Sequence, residues 1–201
     1  MTARHIPGIY DSLRTARVAV AGLGGLGSHI AVVLARMGVG YLLLVDFDMV
    51  EPSNLNRQSY YVRDLGRPKT EALREQIAGI NPYVDVAIRT VRVEEHNVVD
   101  LFGSCDVLCE AFDSREAKAM LVSAALAGIP DLKVVAASGM AGHGSANSIR
   151  TQRRMRNLYV CGDDNVGGED EGAGFLAPRV QICAGHQANM VLRLLMGFEE
   201  A

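Results

Sequence analysis

The chain has 201 residues, of which 49% are hydrophobic and 21% are charged, and its formal net charge is −3. This composition is typical of a globular protein and excludes disordered and fibrous classes. Lys and Arg number 20 against 23 Asp and Glu, so there is no basic excess to indicate a nucleic acid partner. The length favours one domain over residues 1–201.

Targeting and cysteine patterns narrow the compartment. No apolar stretch reaches the roughly 18 residues of a transmembrane helix, and the N-terminus lacks the apolar centre of a signal peptide. We therefore expect a soluble, cytoplasmic protein without a membrane partner. The four cysteines, at positions 105, 109, 161 and 183, form no C-x-x-C pair. Neither a disulfide framework nor a zinc site is expected.

The first elements predict a strand, a glycine turn, a helix and a second strand. Residues 17–22 form a short apolar run, and the turn Gly22-Leu-Gly-Gly-Leu-Gly-Ser28 follows directly. Apolar residues at helical spacing continue to Met37, and Gly38 ends the helix. A second apolar run over 41–45 ends in Asp46. This order is that of a βαβ unit.

The alternation of strands and helices continues along the chain. Helices are predicted over 67–80, 98–102, 115–127 and 179–196, and strands over 84–91, 106–110 and 133–137. The pattern predicts an α/β fold with a doubly wound, mostly parallel, Rossmann-like sheet and helices on both faces. Residues 151–174 carry many charges and glycines. We expect them to form a mobile crossover loop with a functional role.

The glycine turn predicts a nucleotide site. Its glycines, Gly22, Gly24, Gly25 and Gly27, would let a phosphate approach backbone N–H groups at the start of a helix. Asp46, at the end of the next strand, would bind a ribose hydroxyl. The alternative for this motif is a nicotinamide or flavin site.

The residues after Asp46 favour a polyphosphate. Arg57 offers a planar fork to phosphate oxygens, and Lys69 follows at a predicted helix start. Asp48, Asn54 and Gln58 in the same region are further candidate ligand contacts. The alternative for Arg57 is a surface ion pair with Glu51 or Asp48.

A carboxylate at Asp113 completes the candidate set. It follows the apolar strand predicted over 106–110, at the edge of the sheet where ligands bind in such folds. Beside a nucleoside triphosphate, this carboxylate would hold Mg²⁺. The alternative is an N-cap for the next helix, and Asp113 could serve both roles.

Together these motifs resemble those of the ThiF/MoeB/HesA family, bacterial relatives of the ubiquitin-activating enzymes. The resemblance runs from about residue 15 to 198. It rests on the glycine turn, Val-Asp-Phe-Asp at 45–48, Ser-Asn-Leu-Asn-Arg-Gln at 53–58, Gly-Arg-Pro-Lys at 66–69, and Asp113. The short length and the stretch at 159–163 look most like a compact ThiF subtype of thiamine biosynthesis.

The resemblance implies an adenylyltransferase. Its substrates would be ATP, with Mg²⁺, and the C-terminal glycine carboxylate of a small ubiquitin-like sulfur carrier protein of the ThiS kind that ends in Gly-Gly. Gly25 would lie against the phosphates, Asp46 would hold the ribose, and Asn54 would contact phosphate oxygens. Arg57, Lys69 and Asp113 would form the catalytic set, with Asp113 as the metal ligand.

The substrate and the role stay open on the sequence alone. The carboxylate could belong to a molybdopterin-synthase carrier or to a threonylcarbamoyl group on tRNA. The glycine turn is also compatible with a nicotinamide dehydrogenase and with a non-catalytic nucleotide-binding scaffold. The resemblance also implies a homodimer. Because the nucleotide domain takes up nearly all of the 201 residues, we further expect a separate sulfur-donating protein.

The sequence departs from the family at two places. Asp113 precedes Ser114 where relatives have Asp-Asn, and the zinc-binding C-x-x-C pairs of many members are absent. Some members use a loop cysteine to form a covalent link to the carrier, and Cys161, in the predicted polar loop, is the candidate here. An arginine that reaches into the partner subunit could be Arg4 or Arg14. The other three cysteines, at 105, 109 and 183, are expected to be buried packing residues.

Overall fold

The computed structural model describes residues 9–163 and 176–201. The strands are β1 (Arg17–Ala21), β2 (Tyr41–Val45), β3 (Asp85–Arg89), β4 (Val107–Glu110), β5 (Lys133–Ala137), β6 (Arg150–Met155) and β7 (Leu158–Gly162). The helices are α1 (Ile9–Thr15), α2 (Gly25–Met37), α3 (Lys69–Ile80), α4 (Val98–Phe102), α5 (Arg115–Gly128) and α6 (Ala177–Leu195). Among these described helices, none is both long enough and apolar enough to cross a membrane.

The predicted doubly wound α/β fold is confirmed. The seven strands form one sheet in the order β3-β2-β1-β4-β5-β7-β6, and only the β6–β7 pairing is antiparallel. Helices α2, α3 and α6 cover one face, where Ile30, Leu73 and Val191 are fully buried. Helices α4 and α5 cover the other face around Phe102 and Leu121. Because both faces are covered, the inner strands are apolar along nearly their whole length.

The strand order places a ligand crevice beside β1. From β1 the chain first builds outward to β2 and β3, and it then returns to place β4 on the other side of β1. The connections after β1 and β4 therefore leave the sheet in opposite directions, which opens a crevice at the carboxyl edge. The glycine turn follows β1, Asp46 follows β2 and Asp113 follows β4. All three predicted ligand groups thus lie at one edge of the sheet.

The expectation of a loop over residues 151–174 is wrong for its first half. Residues 150–155 and 158–162 form the hairpin of β6 and β7, which extends the sheet beyond β5. β6 has the sequence Arg-Thr-Gln-Arg-Arg-Met and is polar because it is an edge strand, and basic side chains on edge strands prevent pairing between molecules. Residues 164–174 of the predicted loop lie outside the described residues. The assignment of the whole chain to one domain stays a prediction.

Candidate functional site

Two glycines of the turn are required by its own backbone. Gly22 has a φ of +87°, and a Cβ built on it would lie 2.7 Å from the Ala111 carbonyl oxygen. A Cβ on Gly27 would lie 1.8 Å from the Gly22 carbonyl oxygen. Both contacts are shorter than atoms tolerate, so a side chain at either position would force the turn apart. These glycines shape the turn rather than face a ligand.

The other two glycines lie at the start of α2, where Gly24 has open space beside it and Gly25 is closely approached by Val180. A Cβ on Gly24 would meet only the Gln58 amide nitrogen, at 3.7 Å. A Cβ on Gly25 would lie 3.0 Å from Val180 Cγ1 and 3.7 Å from Arg57 Cγ. Gly24 is the N-cap of α2 and has no side chain to satisfy the first amides of the helix. Unsatisfied amides at a helix start favour an anion, so the cradle at Gly24 and Gly25 suits a phosphate.

Asp46 fastens the glycine turn to the end of β2. Its carboxylate oxygens accept hydrogen bonds from the Leu23 amide at 2.6 Å and the Asp48 amide at 2.8 Å, and the residue is only 7% exposed. A carboxylate has about four acceptor sites, so these two bonds leave room for further donors. A contact with a ribose hydroxyl stays a prediction, but the structure does place this carboxylate beside the turn.

Lys69 is the buried cation of the site. At the first residue of α3, its ammonium group donates to the Asp48 carboxylate at 2.8 Å, and its side chain is 7% exposed while that of Asp48 is 47% exposed. A pocket of about 340 Å³ opens over this ion pair, and its lining also includes Phe47, Glu51 and Asn54. A largely desolvated ammonium interacts strongly with an anion that enters the pocket. The role of Lys69 toward a phosphate stays a prediction, and its pairing with Asp48 was not predicted from the sequence.

Arg57 is held at the mouth of the cradle. Its guanidinium donates to the Ser53 carbonyl oxygen at 3.1 Å and to Asn56 Oδ1 at 2.9 Å, and its aliphatic part runs past Gly25. Within the described residues, it makes no ion pair with Glu51 or Asp48, so that alternative is wrong. The remaining guanidinium donors suit phosphate oxygens.

The predicted amide contacts differ in how they are used. Asn54 is buried, and its Oδ1 accepts a hydrogen bond from the Glu51 amide at 3.0 Å, which closes the local turn. Gln58 is also buried, and its Oε1 has no hydrogen-bond partner among the described residues. A buried polar atom without a partner is costly. Of the two, Gln58 therefore has the capacity to bind a further group.

Three hydrogen bonds that sequence reasoning missed hold the loop carrying Arg57 against the turn. Ser28 Oγ accepts from the Ser59 amide at 3.0 Å, and His29 Nε2 bonds the Arg57 carbonyl oxygen at 3.0 Å. The Tyr60 hydroxyl donates to the Leu23 carbonyl oxygen at 2.8 Å. Burial, reinforced by Asp46, raises the pKa of Tyr60 well above its usual value, so this hydroxyl remains a donor. The signal available in sequence was a Ser-His pair in the first turns of a mainly apolar helix.

Asp113 is exposed in the connection between β4 and α5. The N-cap of α5 is Ser114, whose Oγ accepts a hydrogen bond from the Ala117 amide at 3.2 Å. The alternative of Asp113 as the N-cap is therefore wrong, and its carboxylate is accessible. Just before it, Glu110 is fully buried in an ion pair with Lys118. Burial raises the pKa of Glu110, and the charge of Lys118 opposes this increase.

The donor set at Asp113 is compatible with a magnesium ion that also binds phosphates. Among the described residues, no three of His, Cys, Asp or Glu lie close enough together to hold a metal ion by themselves. Mg²⁺ commonly takes only one or two carboxylates and completes its shell with water and substrate phosphates. A single exposed carboxylate at the crevice meets that requirement.

Cys161 is not a loop residue, contrary to prediction. It lies on β7, it is fully buried, and burial raises the pKa of its thiol to about 11 despite a hydrogen bond with Thr151. Because the thiolate is the reactive form of cysteine, this environment makes the thiol inert. The other cysteines, Cys105, Cys109 and Cys183, are buried and free, as expected.

Comparison with known proteins identifies the family. The model of the ThiF family matches residues 4–201. This chain belongs to the ThiF family. The molybdopterin-synthase adenylyltransferase of Salmonella typhimurium is 32% identical over 92% of this chain and 75% of its own length. The adenylyltransferase and sulfurtransferase UBA4 of Yarrowia lipolytica is 35% identical over 92% of this chain and 47% of its own length.

Some relatives are much longer than this ThiF-family chain. The probable adenylyltransferase/sulfurtransferase MoeZ of Mycobacterium tuberculosis is 42% identical over 59% of this chain but only 31% of its own length. Among solved structures, the tRNA N6-threonylcarbamoyladenosine dehydratase TcdA of Escherichia coli, in complex with ATP, superposes with a TM-score of 0.85. It shares 22% sequence identity, with 94% of this chain and 89% of that chain covered. This likeness supports the fold.

Proposed function

We propose that this protein adenylates the C-terminal glycine carboxylate of a small ubiquitin-like sulfur carrier protein. The observation that carries the proposal is the cradle at Gly24 and Gly25, with Arg57 at its mouth and the buried ammonium of Lys69 nearby. A glycine turn alone suits many nucleotides. Two cations beside it suit a triphosphate.

The proposed reaction needs charge stabilisation more than proton transfer. A carrier carboxylate is already ionised at neutral pH, and it attacks the α-phosphorus of ATP. The bond from that phosphorus to the bridging oxygen breaks, and pyrophosphate leaves with the electron pair. An acyl-adenylate remains on the carrier. In this scheme the amides at the start of α2, Arg57 and Lys69 neutralise the phosphate oxygens and align the reacting groups.

Four further residues have proposed roles in binding ATP. Asp46 lies at the end of β2 beside the turn, where it would accept hydrogen bonds from the ribose hydroxyls. Asp113 would hold Mg²⁺, which neutralises phosphate charge when it is bound. Asp48 keeps the ammonium of Lys69 in the pocket until a phosphate arrives. Gln58 Oε1, buried without a partner among the described residues, would accept a hydrogen bond from the ligand.

The identity of the carrier is the finer part of the proposal. One relative is named a molybdopterin-synthase adenylyltransferase, and two others are named as combined adenylyltransferases and sulfurtransferases. The stretch at 159–163 resembles the compact ThiF subtype, and it supports a ThiS-like carrier in thiamine thiazole synthesis. We also propose a homodimer and a separate sulfur-donating protein, by analogy with the family.

Carrier-dependent exchange between labelled pyrophosphate and ATP tests the proposal. Each reaction contains the protein, Mg-ATP and one candidate substrate. The three candidates are a ThiS-like carrier, a molybdopterin-synthase carrier, and tRNA bearing threonylcarbamoyl groups. Exchange with the ThiS-like carrier supports the proposal, whereas exchange with only one of the others reassigns the substrate. Absence of exchange with every Gly-Gly carrier, together with tight binding of NADH, would contradict it.

The Asp113→Ala variant tests the assignment of Mg²⁺. Because Asp113 is exposed, its loss should leave the thermal midpoint unchanged while exchange falls by about 100-fold or more, the usual scale for a group that stabilises transition-state charge. Asp131→Ala is the matched control, since Asp131 is also exposed but precedes β5 at the opposite edge of the sheet. Full activity of Asp113→Ala would show that another group holds the metal.

A further inference from the structure

A buried ion pair outside the predicted site joins the end of β7 to the start of α6. Arg179, in the first turn of α6, is 4% exposed, and one of its terminal nitrogens contacts the Asp163 carboxylate. The side chain of Asp163, directly after β7, is 9% exposed. Charged residues are rarely buried to this extent unless they are paired, so the pairing accounts for the burial of both side chains.

The same pair also holds the segment that follows β5. Arg179 Nη1 donates to the Ser145 carbonyl oxygen at 2.8 Å, and Ser148 Oγ donates to Asp163 Oδ2 at 3.3 Å. The Asp163 amide donates to the Gly139 carbonyl oxygen at 3.0 Å. Three segments that are distant in sequence therefore meet at one ion pair. Hydrogen bonds of this kind, to charged groups, are stronger than neutral ones.

Glycines allow the backbone to close around the pair. Gly139 has a φ of +71°, and a Cβ on it would lie 2.4 Å from the Asp163 carbonyl oxygen. A Cβ on Gly144 would lie 3.1 Å from Arg179 Nη1. The segment after β5 thus approaches the Asp163 backbone more closely than a side chain would allow, and at Gly144 it leaves little room beside Arg179.

The residue after Arg179 forms a wall of the phosphate cradle. Val180 is 2% exposed, and its Cγ1 lies 3.0 Å from the position of a Cβ on Gly25. The first turn of α6 therefore limits the space above the first residue of α2. Arg179 is held by Asp163 and by the segment after β5, and Val180 is the next residue of the same helical turn.

Stability alone does not account for the pair. Desolvation of two charges offsets much of their attraction, and apolar residues of similar size often stabilise a fold equally well. Here Arg179 Nε is also buried without a hydrogen-bond partner among the described residues, which adds a further cost. An apolar pair would not fix the orientation of the two side chains. The planar guanidinium does, because its hydrogen bonds constrain direction as well as distance.

We propose that Asp163 and Arg179 are positioning residues for the nucleotide. The ion pair sets the first turn of α6 so that Val180 closes the cradle at Gly25 around the phosphates. The identity of the ligand as ATP rests on the proposed function above. Loss of the pair would loosen the cradle. ATP binding would then weaken more than in a variant that loses the same stability elsewhere in the fold.

Three measurements on four variants test this. The variants are Asp163→Asn, Arg179→Lys, Arg179→Met and, as a control for lost stability, Leu121→Val in the core on the opposite face of the sheet. Calorimetric titration with Mg-ATP gives the Kd of the folded fraction. Hydrogen exchange of the α2 amides is followed in the absence of ligand, and thermal unfolding is recorded for each variant.

Arg179→Met is expected to raise the Kd for ATP by about tenfold, within the hundredfold range that small displacements in a site produce. Exchange of the amides at Ile30 and its neighbours in the first turns of α2 should accelerate. Arg179→Lys keeps the charge but loses the fork, so its effect should be intermediate. Leu121→Val should lower the thermal midpoint and leave the Kd within twofold.

The opposite results are equally clear. If variants of the pair lose thermal stability but keep the wild-type Kd and α2 exchange, the pair is structural only and the proposal is wrong. If Arg179→Met does not fold, Asp163→Asn and Arg179→Lys decide the question by the same readouts. Failure of the wild type to bind ATP would overturn the proposed function. The exchange measurement, which needs no ligand, would still decide whether the pair positions the cradle.

Discussion

Replacement of Gly25 by alanine separates ligand binding from folding at the glycine turn. The added methyl group would meet Val180 Cγ1 at 3.0 Å and Arg57 Cγ at 3.7 Å. Both neighbours are side chains, so a shift of Val180 by a few tenths of an ångström would accommodate it. Gly25 is the first residue of α2, where alanine also has the better helix propensity. The fold should therefore tolerate Gly25→Ala.

Nucleotide binding should not tolerate it. The methyl group occupies the cradle and holds a phosphate oxygen away from the amides at the helix start. A hydrogen bond to a charged group contributes about 1.5–3 kcal/mol. At 1.4 kcal/mol per factor of ten, the loss of one such bond raises the Kd for ATP by about 10- to 140-fold.

Two other glycines are matched controls. A Cβ on Gly79, near the end of α3, meets no atom of the described residues within 4 Å, so Gly79→Ala should bind ATP normally and gain about 0.5–1 kcal/mol of stability. A Cβ on Gly27 lies 1.8 Å from the Gly22 carbonyl oxygen, so Gly27→Ala should lose about 1–3 kcal/mol or more. Calorimetric titration with Mg-ATP and urea unfolding of all three variants give the two quantities separately.

A Kd of Gly25→Ala for Mg-ATP within twofold of the wild-type value would contradict this prediction. In that case the phosphates do not lie against Gly25, and the role of the turn would have to be structural. An equal loss of stability in Gly25→Ala and Gly27→Ala would also contradict it, because only Gly27 faces backbone atoms at a forbidden distance.

Two further predictions concern the cation and the thiol. Lys69→Met should lower the rate of pyrophosphate exchange by about 100-fold. The urea midpoint should change little, because the partner Asp48 is half-exposed and regains water. A loss of activity below threefold would remove Lys69 from the catalytic set. Cys161, whose pKa is raised to about 11, should be ionised in roughly one molecule in a thousand at pH 8 and should react with a disulfide reagent only after unfolding. Cys161→Ala should keep pyrophosphate exchange within twofold. Rapid labelling of Cys161 in the native protein would contradict the burial of its thiol.

Local patterns in the sequence were enough to predict the elements from β1 to β5, and α6, in their order along the chain. They did not predict α1, β6 or β7. Apolar periodicity changes from strand to helix at the glycine turn, and Gly38 ends α2 with a φ of +87° as a left-handed cap. These signals are local because hydrogen bonding within a helix and the steric limits on φ involve residues close in sequence. The placement of the candidate ligand groups was also predictable, because parallel strands bring the residues after β1, β2 and β4 to one edge.

Edge strands and partners were not predictable in this way. β6 is polar because one side of it faces solvent, so its composition resembles a loop. Cys161 lies next to Gly162 and Asp163 in sequence, yet pairing of β7 with β5 buries it. Burial depends on which strands become neighbours, and this is determined by contacts between residues far apart in the chain.

By itself, then, the sequence determined the βαβ framework and the glycine turn, and it provided Arg57 and Lys69 as candidate cations for a phosphate site. Only the tertiary structure decided what each group contacts. It paired Lys69 with Asp48, and it left Gln58 Oε1 buried without a partner among the described residues. It also joined Arg179 to Asp163 beside the cradle. The physical reason is that propensity and patterning act over a few residues, whereas desolvation and charge pairing depend on segments that meet only after the sheet has formed.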